Sequence, residues 1–219
     1  MTYGQSLACL NPCDPQFMSQ LLEPRIGRDA RVVDVGCGRG ATLAWLSAHT
    51  GYFLAGVEPD SVLYQEARAN CPAAELSPAG AEALPFADRS FHAALMECVF
   101  SLLEEPARAA GELKRILMPQ GIVLLSDVYT RLSEGIYFGQ NAIFRNIYAK
   151  QTLESFFIHC GFSLDGFFDR TADMGSMIAQ MLMDATARDC LDGETIRRLR
   201  QAKTAYGIWL WRKQCPRIR

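Results

Sequence analysis

Asp34, the three alternating glycines just behind it and Glu58, 24 residues further on, are the residues of this chain whose types and spacing could do chemistry. The first four lie in Val32-Val33-Asp34-Val35-Gly36-Cys37-Gly38-Arg39-Gly40, a β-branched run that ends in an acid and breaks into glycine. Such a run is a buried strand turning sharply into a helix, expected at Ala41–His49. Its glycines let the backbone approach a ligand that a side chain would hold off. Gly36, Gly38 and the small Ala41 also satisfy the dinucleotide pattern, so the glycines alone discriminate poorly. Asp34 discriminates better. A dinucleotide fold brings a pyrophosphate to this turn, and a carboxylate two residues before the first glycine sets negative charge against it. A ligand with a cationic amino group suits Asp34, and the two carboxylate oxygens of Glu58 suit a ribose diol.

S-adenosyl-L-methionine has those features: no phosphate, an ammonium, a sulfonium, a ribose diol and an adenine. The residues resemble the class I S-adenosylmethionine-dependent methyltransferases, in which Asp-Val-Gly-Cys-Gly-x-Gly is the usual first motif and an acid after the second strand holds the ribose. Ala81-Glu82-Ala83-Leu84-Pro85-Phe86-Ala87-Asp88-Arg89-Ser90-Phe91 looks like that family's adenine-side loop. Leu113-Lys114-Arg115-Ile116-Leu117-Met118-Pro119-Gln120-Gly121 looks like its helix and turn before strand five. The resemblance runs from about Ala30 to Val128 and fades on either side. It implies Asp34, Gly36, Cys37, Gly38 and Gly40 around the methionine moiety, Glu58 on the ribose, Pro59, Ala81 and Glu82 on the adenine side, and Glu97 beside the sulfonium. Two positions depart from the family pattern: Gly80 and His92 stand where Asp is frequent. His92 reads as a packed or hydrogen-bonded histidine rather than a base.

Methyl transfer from a sulfonium is an in-line displacement, served chiefly by positioning and desolvation, so no fixed catalytic triad is needed. The acceptor half is correspondingly harder to read. Met96-Glu97-Cys98-Val99 lacks the Asn/Asp-Pro-Pro-Tyr/Phe run of the nucleic-acid amino-methyltransferases. With Ser126-Asp127-Val128-Tyr129 it looks like the small-molecule branch, distantly similar to the arsenite methyltransferases, whose full cysteine set is not matched here. Asp127, Tyr129 and Cys98 are the candidate acceptor-side residues, on the rule that ligands of open α/β sheets lie outside the carboxyl ends of the strands. A non-catalytic cofactor-binding regulator and an NAD-dependent oxidoreductase are the alternatives, the second opposed by Asp34.

Several function classes are excluded by composition. A formal charge of -2, from 22 basic and 24 acidic residues, gives no global field for nucleic acid or an anionic membrane. The basic stretch Arg197–Lys203 reads as a solvated helix face. No apolar run approaches a membrane span, and the N-terminus lacks the charged start and apolar core of a secretory signal, so a cytoplasmic protein, monomer or homodimer, is expected. The eight cysteines are scattered, and only Cys9 and Cys13 are close; buried reduced thiols and no metal follow.

These residues need a scaffold. The pattern alternates strand Arg31–Val35, helix Ala41–His49, strand Tyr52–Val57, helix Asp60–Ala69, strand Ala74–Ser77, strand His92–Met96, helix Pro106–Leu117 and strand Ile122–Asp127. A helix Thr152–His159, strand Phe162–Phe168 and a final edge strand Ala205–Trp211 follow. This is a single α/β domain over 1–219, with a core at about 30–170 and a closing strand at 205–213. The expected form is a Rossmann-like, seven-stranded, mostly parallel sheet with helices on both faces. A helical cap is expected from the aromatic-rich 129–148 and from 171–202, where Met174, Met177, Met181 and Met183 recur. Those two segments would restrict the site to a small or elongated, apolar-bodied acceptor.

Overall fold

A computed structural model of the chain describes residues 14–139, 145–175 and 193–215. Helix α1 (Pro15–Ile26) is capped by Asp14, whose carboxylate accepts from the Gln16 N–H. Then come β1 (Arg31–Val35), α2 (Ala41–His49), β2 (Phe53–Val57), α3 (Ser61–Asn70), β3 (Glu75–Ser77) and β4 (Phe91–Glu97). A 3-10 turn at Phe100–Leu102 precedes α4 (Pro106–Ile116), β5 (Leu117–Thr130), β6 (Ile136–Tyr137), β7 (Asn146–Ala149) and α5 (Lys150–His159). Last are β8 (Phe162–Asp169), a helix α6 (Gly193–Gln201) and β9 (Thr204–Lys213).

The main sheet runs β3-β2-β1-β4-β5-β9-β8, parallel from β3 through β5, with β9 antiparallel to both of its neighbours. Two layers of helices cover it. On one face α4 and α5 bury Leu113, Ile116, Leu153 and Phe157 against Val33, Ala94, Val123 and Trp211. On the other, α1 and α2 bury Met18, Leu22 and Leu46 against Val32, Leu95, Leu124 and Ile208. Successive strand residues point to opposite faces, so even positions of β1 and odd positions of β4 belong to the α1/α2 side.

The strand order extends two expectations and corrects one. The seven expected strands form the main sheet, and among the described residues the segment after Asp127 adds two short ones, β6 and β7: Tyr129 lies within β5, and Tyr148 within β7 is paired parallel to it. β4 ends at Glu97, and β7 occupies the lane beside β5 that β4 has left. Residues 204–213 do not form an edge strand. β9 lies between β5 and β8, and every residue from Ala205 to Trp211 is buried, as an apolar run without polar alternation requires when both faces are covered. The expected turn at Pro119–Gly121 is present as an irregularity within β5: Phe91 pairs with Leu117, Ala93 with Ile122, and Gln120 takes φ 65°. The arm before Asp14, Cys9, Cys13, Phe144, Cys190, and the methionines 177, 181 and 183 lie outside the described residues. Among the described residues, no helix is long and apolar enough to cross a membrane.

Candidate active site

The glycine turn is tied to the end of β2. Gly36 and Cys37 both donate their N–H to the Val57 carbonyl, at 2.9 and 3.0 Å, and Gly40 donates to Cys37 O at 2.8 Å. Gly36, Gly38 and Gly40 all have positive φ, which L side chains rarely adopt. At Gly36 a Cβ would stand 2.4 Å from Val99 Cγ2, whereas at Gly38 it would meet nothing within 4 Å. The turn is therefore packed from behind by the segment after β4 and open at Gly38.

Glu58 closes this arrangement. Its Oε2 accepts from the Gly38 N–H at 3.0 Å and its Oε1 from the Asp60 N–H at 2.9 Å, so one carboxylate joins the glycine turn to the start of α3. Asp60 in turn caps α3 through the N–H groups of Val62 and Leu63. Burial pushes the Glu58 carboxyl up, and the two N–H donors oppose that shift. Each oxygen has one protein donor, which leaves lone-pair capacity for further hydroxyl groups.

Asp34 and Glu97 are less well compensated. Asp34 is 2 % exposed, and its Oδ1 has no hydrogen-bond partner. Burial, then the charge of Glu58, pushes its carboxyl up to about 7. Both Glu97 oxygens are buried without a hydrogen-bond partner. Burial and then the charge of Asp34 hold that carboxyl well above the usual range, with the nearby Thr42 hydroxyl acting the other way. Buried carboxylates without compensating donors are costly and are normally paired, so their convergence marks a place for a positive ligand.

Cys37 turns its side chain away from the opening. Its Sγ packs beneath Gly56 with Leu43, Ala67 and Cys71, and burial pushes its thiol up. Only its backbone borders the turn. Pro59 is exposed at the rim; Ala81 is buried in the core, and Glu82 folds over Gly80. His92 lies at the opposite end of the sheet, where its Nδ1 accepts from the Arg31 N–H at 3.0 Å.

The acceptor-side candidates are divided between the two faces. Asp127 and Tyr129 lie with α4 and α5, across the sheet from Asp34 and Glu97. Asp127 is fully buried, with Oδ2 accepting from the Ser101 N–H and Oδ1 from the Val128 N–H, both at 2.7 Å. Burial raises its carboxyl to about 6 against the opposing effect of these donors. Its geometry anchors the 3-10 turn. Asp127→Ala should lower stability by about 1–3 kcal/mol by leaving two buried N–H groups unpaired, and Asp127→Asn should cost less; urea unfolding of both variants checks this. Tyr129 packs edge-on against Phe167 and Trp209 and donates its hydroxyl to Asp169 at 3.1 Å.

Cys98 adopts φ 55°, donates its N–H to Ser126 O at 2.7 Å, and places Sγ 3.9 Å from the Tyr206 hydroxyl. Among the described residues, no group of three or more His, Cys, Asp or Glu is arranged to hold a metal ion. Thr42 and Tyr206 were not singled out by sequence, and Val99 and Ser126 stood there only as members of longer runs. The position of Thr42 one residue into the helix behind the glycine turn was a usable signal. Tyr206 carried none, because only strand order brings it beside Cys98.

The family described as "Methyltransferase domain" matches residues 33–125, a stretch that runs from within β1 to within β5 and includes all three carboxylates. Residues 33–125 are thus a methyltransferase domain, and the fold around them is the class I fold. The cofactor of that family is S-adenosyl-L-methionine. The malonyl-[acyl-carrier protein] O-methyltransferase of Erwinia pyrifoliae is 30% identical over 130 residues, 58% of this chain and 47% of that protein. An uncharacterized Haemophilus influenzae protein is 33% identical over 109 residues, 46% of this chain and 43% of its own length. The chain thus spans less than half the length of these curated relatives. Among solved structures, geranyl diphosphate C-methyltransferase of Streptomyces coelicolor A3(2), in complex with Mg2+, geranyl diphosphate and S-adenosyl-L-homocysteine, has TM-score 0.72 at 15% identity. It covers 91% of this chain and 78% of that one. The [4+2]-cyclase SpnF has TM-score 0.73 at 20% identity, over 91% and 82%. The methyltransferase fold is thus shared with a protein named for a different reaction.

Proposed function

We propose that this chain binds S-adenosyl-L-methionine across the carboxyl ends of β1, β2 and β4 and transfers its methyl group to a small-molecule acceptor. The observation that carries this reading is the orphaned Oδ1 of buried Asp34 beside a glycine turn that is open at Gly38. An anionic pyrophosphate has no place against that carboxylate, whereas an ammonium supplies what it lacks. Gly36, Cys37, Gly38 and Gly40 cradle the methionine moiety through their backbone. Glu58 receives the ribose hydroxyls while retaining its two N–H donors. Pro59, Ala81 and Glu82 border the adenine, and Glu97 faces the sulfonium. The bound cofactor supplies an electrophilic methyl group on a cationic sulfur. The protein contributes orientation and exclusion of water.

A small acceptor agrees with the modest net charge, which offers no field for nucleic acid, and with the half-buried aromatic side chain of Tyr148 over Phe100 beyond the end of β4. Of the acceptor-side candidates, Cys98 shares the face of Glu97 and borders the crevice, while Asp127 holds the turn after β4 and Tyr129 packs on the opposite face of the sheet. The chain acts in the cytoplasm as a monomer or homodimer, without membrane attachment.

The test is calorimetry. Glu58→Ala should weaken S-adenosylhomocysteine binding by on the order of 1.5–3 kcal/mol, through loss of a charged acceptor. Unchanged affinity removes the ribose assignment. Tight NAD binding without S-adenosylhomocysteine binding points instead to the oxidoreductase alternative. Cofactor binding without turnover over a broad metabolite and thiol panel favours a regulator.

A further inference from the structure

Asp34 and Glu97 are brought together by strand pairing rather than by sequence. β1 and β4 are parallel neighbours, Asp34 is in register with Leu95, and Glu97 stands two residues further along the same face. Three of their four carboxylate oxygens, Asp34 Oδ1 and both of Glu97, are buried without a hydrogen-bond partner. The groups around the pair offer no compensating charge. Glu58 at the end of β2 adds a negative charge, Cys37 in the turn is a thiol held protonated by burial, and Thr42 of α2 offers a hydroxyl. On the β5 side Glu97 is in register with Ser126, whose buried hydroxyl is itself unpartnered. Beyond it, on β9, the nearest titratable group is the Tyr206 hydroxyl beside Cys98. Two desolvated carboxylates in such surroundings do not both ionise without a cation.

We propose that Asp34 and Glu97 hold one proton between them while no cation is bound, and release it to solvent when the sulfonium form of the cofactor binds, so that the pair selects the methyl donor over its spent form. This rests on the binding site proposed above and goes beyond it by giving the two acids a joint task. S-adenosylmethionine brings an ammonium and a sulfonium to the pair, and the proton leaves for bulk water. The demethylated product keeps the ammonium but has a neutral thioether, so the pair regains a proton after transfer. The spent cofactor is then held less firmly than the donor that replaces it.

The experiment titrates the full chain with S-adenosylmethionine, and separately with S-adenosylhomocysteine, near pH 6. Each titration is run in two buffers matched in pH and salt but unequal in ionisation enthalpy. The apparent binding enthalpies should differ by an amount equal to about one proton released per S-adenosylmethionine, and clearly less for S-adenosylhomocysteine. Affinity for the donor should rise as pH increases towards 8, by up to about tenfold per pH unit while the proton is being released. Glu97→Gln should abolish the buffer dependence and lower the preference for donor over product by roughly tenfold. Tight binding with identical heats in both buffers overturns the shared proton while leaving the binding site intact, as does equal proton release with donor and product. Absence of binding by either compound overturns the binding site itself, and the inference with it. The wild-type comparison decides the matter even if the variant does not fold.

Discussion

Gly36→Ala should lower the stability of the chain by about 2–4 kcal/mol, by adding the cost of a left-handed alanine to that of an overpacked contact. Gly36 has φ 79°, and its missing Cβ would lie 2.4 Å from Val99 Cγ2. The turn cannot swing away freely, because the N–H groups of Gly36 and Cys37 are both committed to the Val57 carbonyl. The two contributions separate in a double variant. Val99→Ala in the Gly36→Ala background removes the methyl groups that clash and should leave a residual deficit of about 1–2 kcal/mol from the backbone alone. Urea unfolding of Gly36→Ala, Val99→Ala and the double variant, each against the wild type, measures both parts. A single Gly36→Ala variant that unfolds with the wild type would mean that the turn is not held against Val99.

Asp34→Asn should act in the opposite direction on the empty protein, raising its stability at neutral pH by about 1–4 kcal/mol while weakening cofactor binding. The sign follows from proton binding. The carboxyl titrates at about 7 in the folded chain against an ordinary value of 3.8, so the folded state holds the proton more tightly than the unfolded one. The stability this provides is fully present below about pH 4 and is lost as pH rises towards 7. Glu97 shifts in the same sense and adds to the trend. An amide at position 34 has no such proton to lose, so its melting temperature should fall less between pH 5 and about 7.5, as circular dichroism can follow. Equal pH dependence in Asp34→Asn and wild type would remove Asp34 as the source. A residue whose removal stabilises the empty protein is kept for what it binds.

Much of the scaffold was legible because its signals are local. The Val-Val-Asp-Val run gave β1 and the glycine turn gave the start of α2, with the bounds expected for both. Asp60 heads α3 as a side-chain cap, and Pro106 opens α4, each a residue type that starts helices. The position of β9 was misread because strand order is not a local property. Its apolar run from Ala205 to Trp211 does hint at burial on both faces, but its partners are set by residues 74 to 90 positions away. The division of Asp127 and Tyr129 from Glu97 was hidden for a related reason. All three fall near the carboxyl ends of their strands, yet strand parity decides which face each side chain occupies, and parity across the irregularity at Gln120 cannot be counted from sequence. The pairing of Asp34 with Glu97 likewise required the register of β1 on β4.

The placement of β9 also dictates a timetable. β5 is paired with β9 from Ile122 opposite Arg212 to Thr130 opposite Thr204, so a growing chain displays that flank of β5 until the residues after 203 have been synthesised. Until then the parallel half of the sheet ends in an open, strongly apolar border, the kind of surface that recruits strands from other chains. Pairings this distant along the chain are slow to close, and synthesis delivers residues at about 5–20 per second, so the exposed interval lasts seconds. A nascent chain halted shortly before residue 204 should therefore aggregate or be held by chaperones, although its glycine turn and all three carboxylates are already complete.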